Sequence, residues 1–133
     1  MASAPAALSY ETLAKAPASY FKAVDAMDID AVLTHFADDA TLTVQTDHVT
    51  FSGAAEIRRM FTDFFAASVT IGHEIRNIVV EPGALKVATE QGYWGELKDG
   101  SKNDMHNCNF FTLDEEGKFT RVIIWMAGTN PLQ

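Results

Sequence analysis

"SVTIGHEIRNIVVEPGALKVATEQGYWGEL", residues 68–97, is the stretch on which the fold turns. Two long runs rich in Val, Ile, Thr and aromatic residues flank Glu81-Pro82-Gly83, a turn signal, so the segment reads as paired strands over about 68–81 and 84–97. Similar runs follow at 102–114 and 118–127, set apart by Lys98-Asp99-Gly100-Ser101 and Asp114-Glu115-Glu116-Gly117. Four such runs joined by tight turns predict an antiparallel meander. A strand alternates faces with period two, so Ile71, His73 and Ile75 share one face while Gly72, Glu74 and Arg76 share the other. A titratable imidazole between two isoleucines is either a hydrogen-bonded core histidine or a working group in a pocket beneath the sheet.

Upstream the periodicity changes to that of helices. "YETLAKAPASYFKAVDAMD" (10–28) spaces Leu13, Tyr20, Phe21 and Val24 helically, and Pro17 either divides it or opens the main helix at its first turn. In "DIDAVLTHFADDA" (28–40) Asp28 is placed to cap a second helix whose stripe is Ile29, Val32, Leu33 and Phe36, with His35 at its surface. "TLTVQ" (41–45) alternates as a strand. Ser52 is placed to cap a third helix in "FSGAAEIRRMFTDFF" (51–65), with Ile57, Met60 or Phe61, and Phe64 on its apolar side. Helices first and a long sheet second define an α+β domain, in which the helices must cover the apolar face of the sheet. The expected organisation is a flexible N-terminus over 1–9 and a single domain over 10–133.

The chain has 133 residues, with ten basic against eighteen acidic side chains and a net charge of −8. That length suits one domain with a core and a small cavity. The acidic balance repels phosphate backbones and anionic lipid, so neither nucleic acid nor a membrane is expected as a partner. Cys108 is the single cysteine, which rules out an internal disulfide; it is expected as a small buried apolar residue. "MASAPAALSY" carries no signal-peptide pattern and no run is long enough to span a bilayer, so the expected location is cytoplasmic. His48, His73 and His106 lack ligand spacing, and there is no phosphate-cradling glycine loop or nucleophile elbow. No metal and no cofactor are expected.

The order of three helices, a short hairpin and a curved meander, with "AVDAMDIDAVLTHFADDATL" (23–42) near the start, resembles the nuclear transport factor 2-like superfamily. That superfamily includes the SnoaL-like polyketide cyclases, scytalone dehydratase and ketosteroid isomerase. The resemblance implies a cone-shaped, cystatin-like roll: three N-terminal helices on a curved, mostly antiparallel sheet that encloses a pocket. It also implies a homodimer or higher homo-oligomer formed through the exposed sheet face. Measured against ketosteroid isomerase, "SYFKAVD" supplies Tyr20 and "HNCNFF" supplies Asn109 as oxyanion donors, whereas the place of the aspartate base falls on Val44. Measured against the dehydratase, "AVD" supplies Asp25 and "IGHEI" supplies His73, with Asn109 again selected. The places of its substrate-holding tyrosines fall on Val24 and near Thr46, and that of its second histidine on Gln91.

These residue types suit proton abstraction. A neutral imidazole is a competent base near neutral pH, and a carboxylate on its other nitrogen fixes the tautomer and stabilises the imidazolium. Asp25 and His73 would form that pair. The Tyr20 hydroxyl and the Asn109 amide would stabilise an enolate. Phe61, Phe65, Gln91, Tyr93, Phe111 and Trp125 are the expected substrate-binding residues, with Val24, Phe36, Phe64, Ile71, Ile75, Met105 and Ile123 completing the walls. Such a lining suits a small apolar or aromatic substrate. The leading expectation is a lyase or dehydratase acting on a hydroxylated carbonyl compound. The alternatives are an isomerase or polyketide cyclase using the same groups, and a non-catalytic ligand-binding or dimerisation module.

Overall fold

The computed structural model describes residues 8–128 and 130–132. Its elements in chain order are α1 (Tyr10–Asp25), α2 (Ile29–Leu33), β1 (Phe36–Val44), β2 (Val49–Ser52), α3 (Gly53–Ala67), β3 (Ser68–Glu81), β4 (Lys86–Leu97), β5 (Lys102–Leu113) and β6 (Phe119–Trp125). Residues 1–7 of the expected flexible N-terminus lie outside the described residues. Ser9 caps α1, its Oγ accepting the Thr12 N–H at 3.1 Å.

Pro17 neither divides α1 nor opens it; it sits buried inside one continuous helix. The ring costs the Leu13 carbonyl its helical partner, and the buried stripe of Leu13, Tyr20, Phe21 and Val24 on either side holds the helix together across that gap. Asp28 caps α2 by accepting the Ala31 N–H at 3.1 Å, as its sequence position suggests. The second helix is shorter than expected, however, because Phe36 opens β1 opposite Phe119. The Phe119 N–H donates to the His35 carbonyl at 2.7 Å, so sheet pairing captures backbone that a longer helix would have used. His35 is half-buried rather than a surface residue: Nδ1–H donates to the Ala31 carbonyl at 2.8 Å and Nε2 accepts from the Ser19 hydroxyl at 2.8 Å.

The six strands form one sheet in the order β2-β1-β6-β5-β4-β3, antiparallel except for the β1–β6 pair. The helices cover one face of it, giving the α+β layering that the sequence implies. Two of the turns close as the sequence suggests: Asp99 Oδ1 accepts the Ser101 N–H at 2.8 Å, and Asp114 Oδ1 accepts the Glu116 and Lys118 N–H groups at 2.9 Å. Strand β3 carries a bulge at Arg76, where pairing passes from Ile75–Gln91 to Asn77–Glu90. Before the bulge Ile71, His73 and Ile75 face the helices; after it Ile78 and Val80 do, while Val79 stands outside at 60 % exposure. Among the described residues no helix is long and apolar enough to cross a membrane.

The expected phase of β6 is off by one residue. Ile124 pairs with Asn109 and Val122 with Phe111 on the helix-covered face, so Ile123 and Trp125 point the other way. Trp125 is 48 % exposed and is therefore not a pocket residue. It shares the outer face with its pairing partner Cys108, which is half-buried rather than buried; desolvation, and then the neighbouring Glu90 carboxylate, push that thiol's pKa up.

Candidate active site

Strand β3 is the last in the sheet, so part of its backbone faces an open edge. The C-terminal turn of α1 lies over that edge and sets the Asp25 carboxylate against it. Asp25 Oδ2 accepts the His73 backbone N–H at 3.0 Å, and Oδ1 accepts the His73 Nδ1–H at 2.5 Å. One carboxylate thus holds both the backbone and the ring of the same residue. Hydrogen bonds to a charged group are worth about 1.5–3 kcal/mol each, and this pair is largely withdrawn from solvent, with side-chain exposures of 12 % for His73 and 28 % for Asp25. With Nδ1–H committed to Asp25, the neutral ring keeps its lone pair on Nε2, which has no partner among the described residues. The ring stacks on Phe21 at 4.5 Å between centroids and 16° between planes, and packs against Tyr93 at 5.1 Å.

His73 lines a cavity of about 40 Å³ between the helices and the sheet, partly open to solvent. Tyr20, Gln91, Tyr93 and Asn109 line the same space, with Val24, Phe61 and Phe64 as apolar wall. Asp25 does not line it; it borders a shallow surface depression with Lys22 and Ile75, and His73 stands between the two. The polar floor is a connected row: the Thr89 hydroxyl donates to Gln91 Oε1 at 2.7 Å, and Gln91 Nε2 donates to Asn109 Oδ1 at 2.9 Å. With the row running in that direction, the Asn109 amide N–H₂ is left for the cavity. Tyr20 is buried within an aromatic cage whose edges include Phe36, Phe111 and Phe119, and burial followed by the nearby Asp25 charge raises its pKa well above that of an ordinary phenol.

Three expected substrate contacts lie elsewhere. Trp125 is on the outer face, as described. Phe65 is half-buried beside Phe61 and Phe64, at 5.7 and 5.9 Å, and does not line the cavity. In the run Phe64-Phe65 only Phe64 points inward, because neighbours on a helix diverge by about 100°. Phe111 is on the correct face but is core, sealed behind Tyr20 and Phe21 at 5.9 and 6.2 Å. Of the remaining expected walls, Phe36, Ile71 and Met105 are likewise buried without lining the cavity. The sequence reading missed Phe21 as the stacking partner of His73, Ile124 as wall, and Asn107, which the two-residue period from Asn109 in "HNCN" would have found. It also missed Met126, Pro131 and Leu132, which bring the C-terminal segment over the cavity without any periodic signal.

The Tyr93 hydroxyl is buried without a partner among the described residues. Room for it exists because residue 95 is glycine: a β-carbon there would come within 2.6 Å of the hydroxyl oxygen and 3.0 Å of the Thr70 carbonyl. Burial, then the Asp25 charge, push the Tyr93 pKa from 10.0 up to about 12. The folded pKa lies above the unfolded one, so the stability tied to this phenol is full below pH 10 and is lost as the pH rises through about 12. Denaturant midpoints measured across that range should fall more steeply for the wild type than for Tyr93→Phe. Parallel curves would contradict the shift.

The SnoaL-like domain family matches residues 18–122, and the chain belongs to that family. A proposed aromatic ring hydroxylase from Novosphingobium aromaticivorans shares 30 % identity and superposes with a TM-score of 0.78, over 89 % of this chain and 90 % of that one. SalBIII, an epoxide hydrolase/cyclase-like enzyme of pyran ring formation in salinomycin, superposes at 0.79 with 20 % identity, over 88 % and 92 % of the two chains. An epoxide hydrolase from M. tuberculosis superposes at 0.76 with 16 % identity, over 87 % and 83 %. No curated protein matches the chain. The fold is therefore one that enzymes acting on small molecules share.

Proposed function

We propose that the protein is a cofactor-independent lyase of the dehydratase type, acting on a largely apolar, hydroxylated carbonyl compound. The observation that carries this reading is the Asp25–His73 hydrogen bond set in the wall of an apolar cavity with a polar floor. His73 Nε2 takes a proton from the carbon next to the carbonyl, and Asp25 balances the imidazolium. The electron pair of the C–H bond passes into the carbonyl as an enolate, whose oxygen is held by the Tyr20 hydroxyl and the Asn109 N–H₂. As the enolate collapses a C=C bond forms, the C–O bond at the β-carbon breaks, and the leaving oxygen takes the proton back from His73 and departs as water.

The same groups support a second reading. On a substrate with no leaving group β to the abstracted proton, the enolate is reprotonated at another carbon or closes a ring. Isomerisation or cyclisation then replaces elimination.

The bicyclic β-hydroxy ketone 3-hydroxy-1-tetralone tests the leading reading, because loss of water converts it into fluorescent 1-naphthol. The protein should accelerate that conversion, and Asp25→Asn should lower the rate by about 10²–10⁴-fold. Asn can offer only one oxygen where two donors from His73 now point; its N–H₂ meets the other. An Asp25→Asn protein as fast as the wild type would remove the dyad from the mechanism.

A further inference from the structure

Asn107 lies on β5 two residues before Asn109 and lines the same cavity. Its Oδ1 accepts the Ala127 backbone N–H at 3.0 Å. A backbone N–H can only donate, so this contact fixes which end of the amide is oxygen. The Thr89–Gln91–Asn109 row lacks such an anchor, since a hydroxyl accepts as readily as it donates. The N–H₂ of Asn107 is therefore the end left over, it has no partner among the described residues, and the side chain is buried. An amide N–H₂ at the cavity without a protein partner is free to donate to an acceptor of a bound molecule.

Ala127 belongs to the segment that follows β6. Just before it, the Met126 N–H donates to Thr46 Oγ1 at 2.8 Å, so the segment is tied at two successive residues as it leaves β6. Met126, Pro131 and Leu132 from this segment line the cavity opposite the helices. The contact that fixes the strap over the cavity is thus the contact that aims Asn107 into it.

We infer that Asn107 is a substrate-binding residue: its Nδ2 donates to an acceptor oxygen of the bound molecule, in a direction set by the C-terminal strap through Ala127. Side chains two apart on a strand stand about 6.5 Å from each other, so Asn107 and Asn109 reach two different oxygens rather than one. The ligand class is then an apolar ring carrying two acceptor oxygens. This rests on the cavity being the small-molecule site proposed above.

Duroquinone and durene, the same methylated ring with and without two oxygens, test it by binding titration. The wild type should bind duroquinone more tightly than durene. Asn107→Asp keeps an oxygen for Ala127 and replaces the donor by an acceptor; it should weaken duroquinone about tenfold and leave durene unchanged. Equal affinity of wild type and Asn107→Asp for duroquinone, or no preference of the wild type for duroquinone, overturns the assignment. Hydrogen exchange reads the strap separately: the Ala127 amide should be protected in the wild type and in Asn107→Asp but not in Asn107→Leu. Exchange in the wild type as fast as in Asn107→Leu overturns the strap's part. Neither measurement depends on turnover, so inactivity towards 3-hydroxy-1-tetralone would count against the proposed reaction alone.

Discussion

Turnover of 3-hydroxy-1-tetralone is expected to fall by about 10²–10⁴-fold in His73→Ala, in a protein that still folds. Two features separate the chemical loss from a structural one. The His73 backbone N–H keeps its bond to Asp25 Oδ2 whatever the side chain, so α1 stays fastened to the edge of β3. The truncated ring also borders existing open space, and Asp25 retains access to water through the surface depression. The expected stability cost is accordingly about 1–3 kcal/mol, that of one charged hydrogen bond and some aromatic contact. Circular dichroism and a denaturant titration measure the fold, and naphthol fluorescence measures the rate. A folded His73→Ala protein with the wild-type rate would sink both the elimination and the isomerisation readings and favour a ligand-binding module.

Phe111→Ala is expected to carry the largest stability cost, about 3–5 kcal/mol, the range for deleting a fully buried phenylalanine. Its ring is 1 % exposed and lies 4.8 Å from Phe119, 5.9 Å from Tyr20 and 6.2 Å from Phe21. These neighbours come from β6 and α1, two separate elements, and cannot all collapse into one void. The void would open directly behind Phe21, on which the His73 ring stacks. We therefore expect the rate to fall further than the unfolded fraction alone accounts for, because the imidazole loses its backing. A loss of under about 1 kcal/mol in the denaturant midpoint would contradict the packing described here.

The sheet was legible in the sequence where turn chemistry spoke: Asp99 and Asp114 do close their turns with side-chain oxygens, and β4, β5 and β6 are divided there. Asp25 and His73 were each legible from position, but their contact depends on the open edge of β3, a property of strand order that no local pattern encodes. Errors gathered where two apolar residues stand side by side. "IIW" at 123–125 and "FF" at 64–65 fit either phase, since alternation carries no information when neighbours are alike. Phe36 failed for a related reason: it continues the helical spacing of Ile29, Val32 and Leu33, yet a distant partner, Phe119, claims its backbone for the sheet. The place of Asn107 follows from the two-residue period with Asn109, but the direction of its amide does not, because the Ala127 N–H twenty residues away sets it.

The bulge at Arg76 makes strand β3 an object with parity. Odd-numbered residues from Ile71 to Ile75 face inward before it and even-numbered Ile78 and Val80 after it, so the extra residue works as a switch between two alternations rather than as slack. Regular pairing with every residue kept would turn half of the strand over, bringing Val79 to the core while Ile78 and Val80 went out to water; removing the extra residue would leave every other side chain on its present face. The site end and the far end of β3 are in this way phased against each other by a single position. The extra residue is what lets Ile75 and Ile78, three apart in the chain, share one face of the sheet.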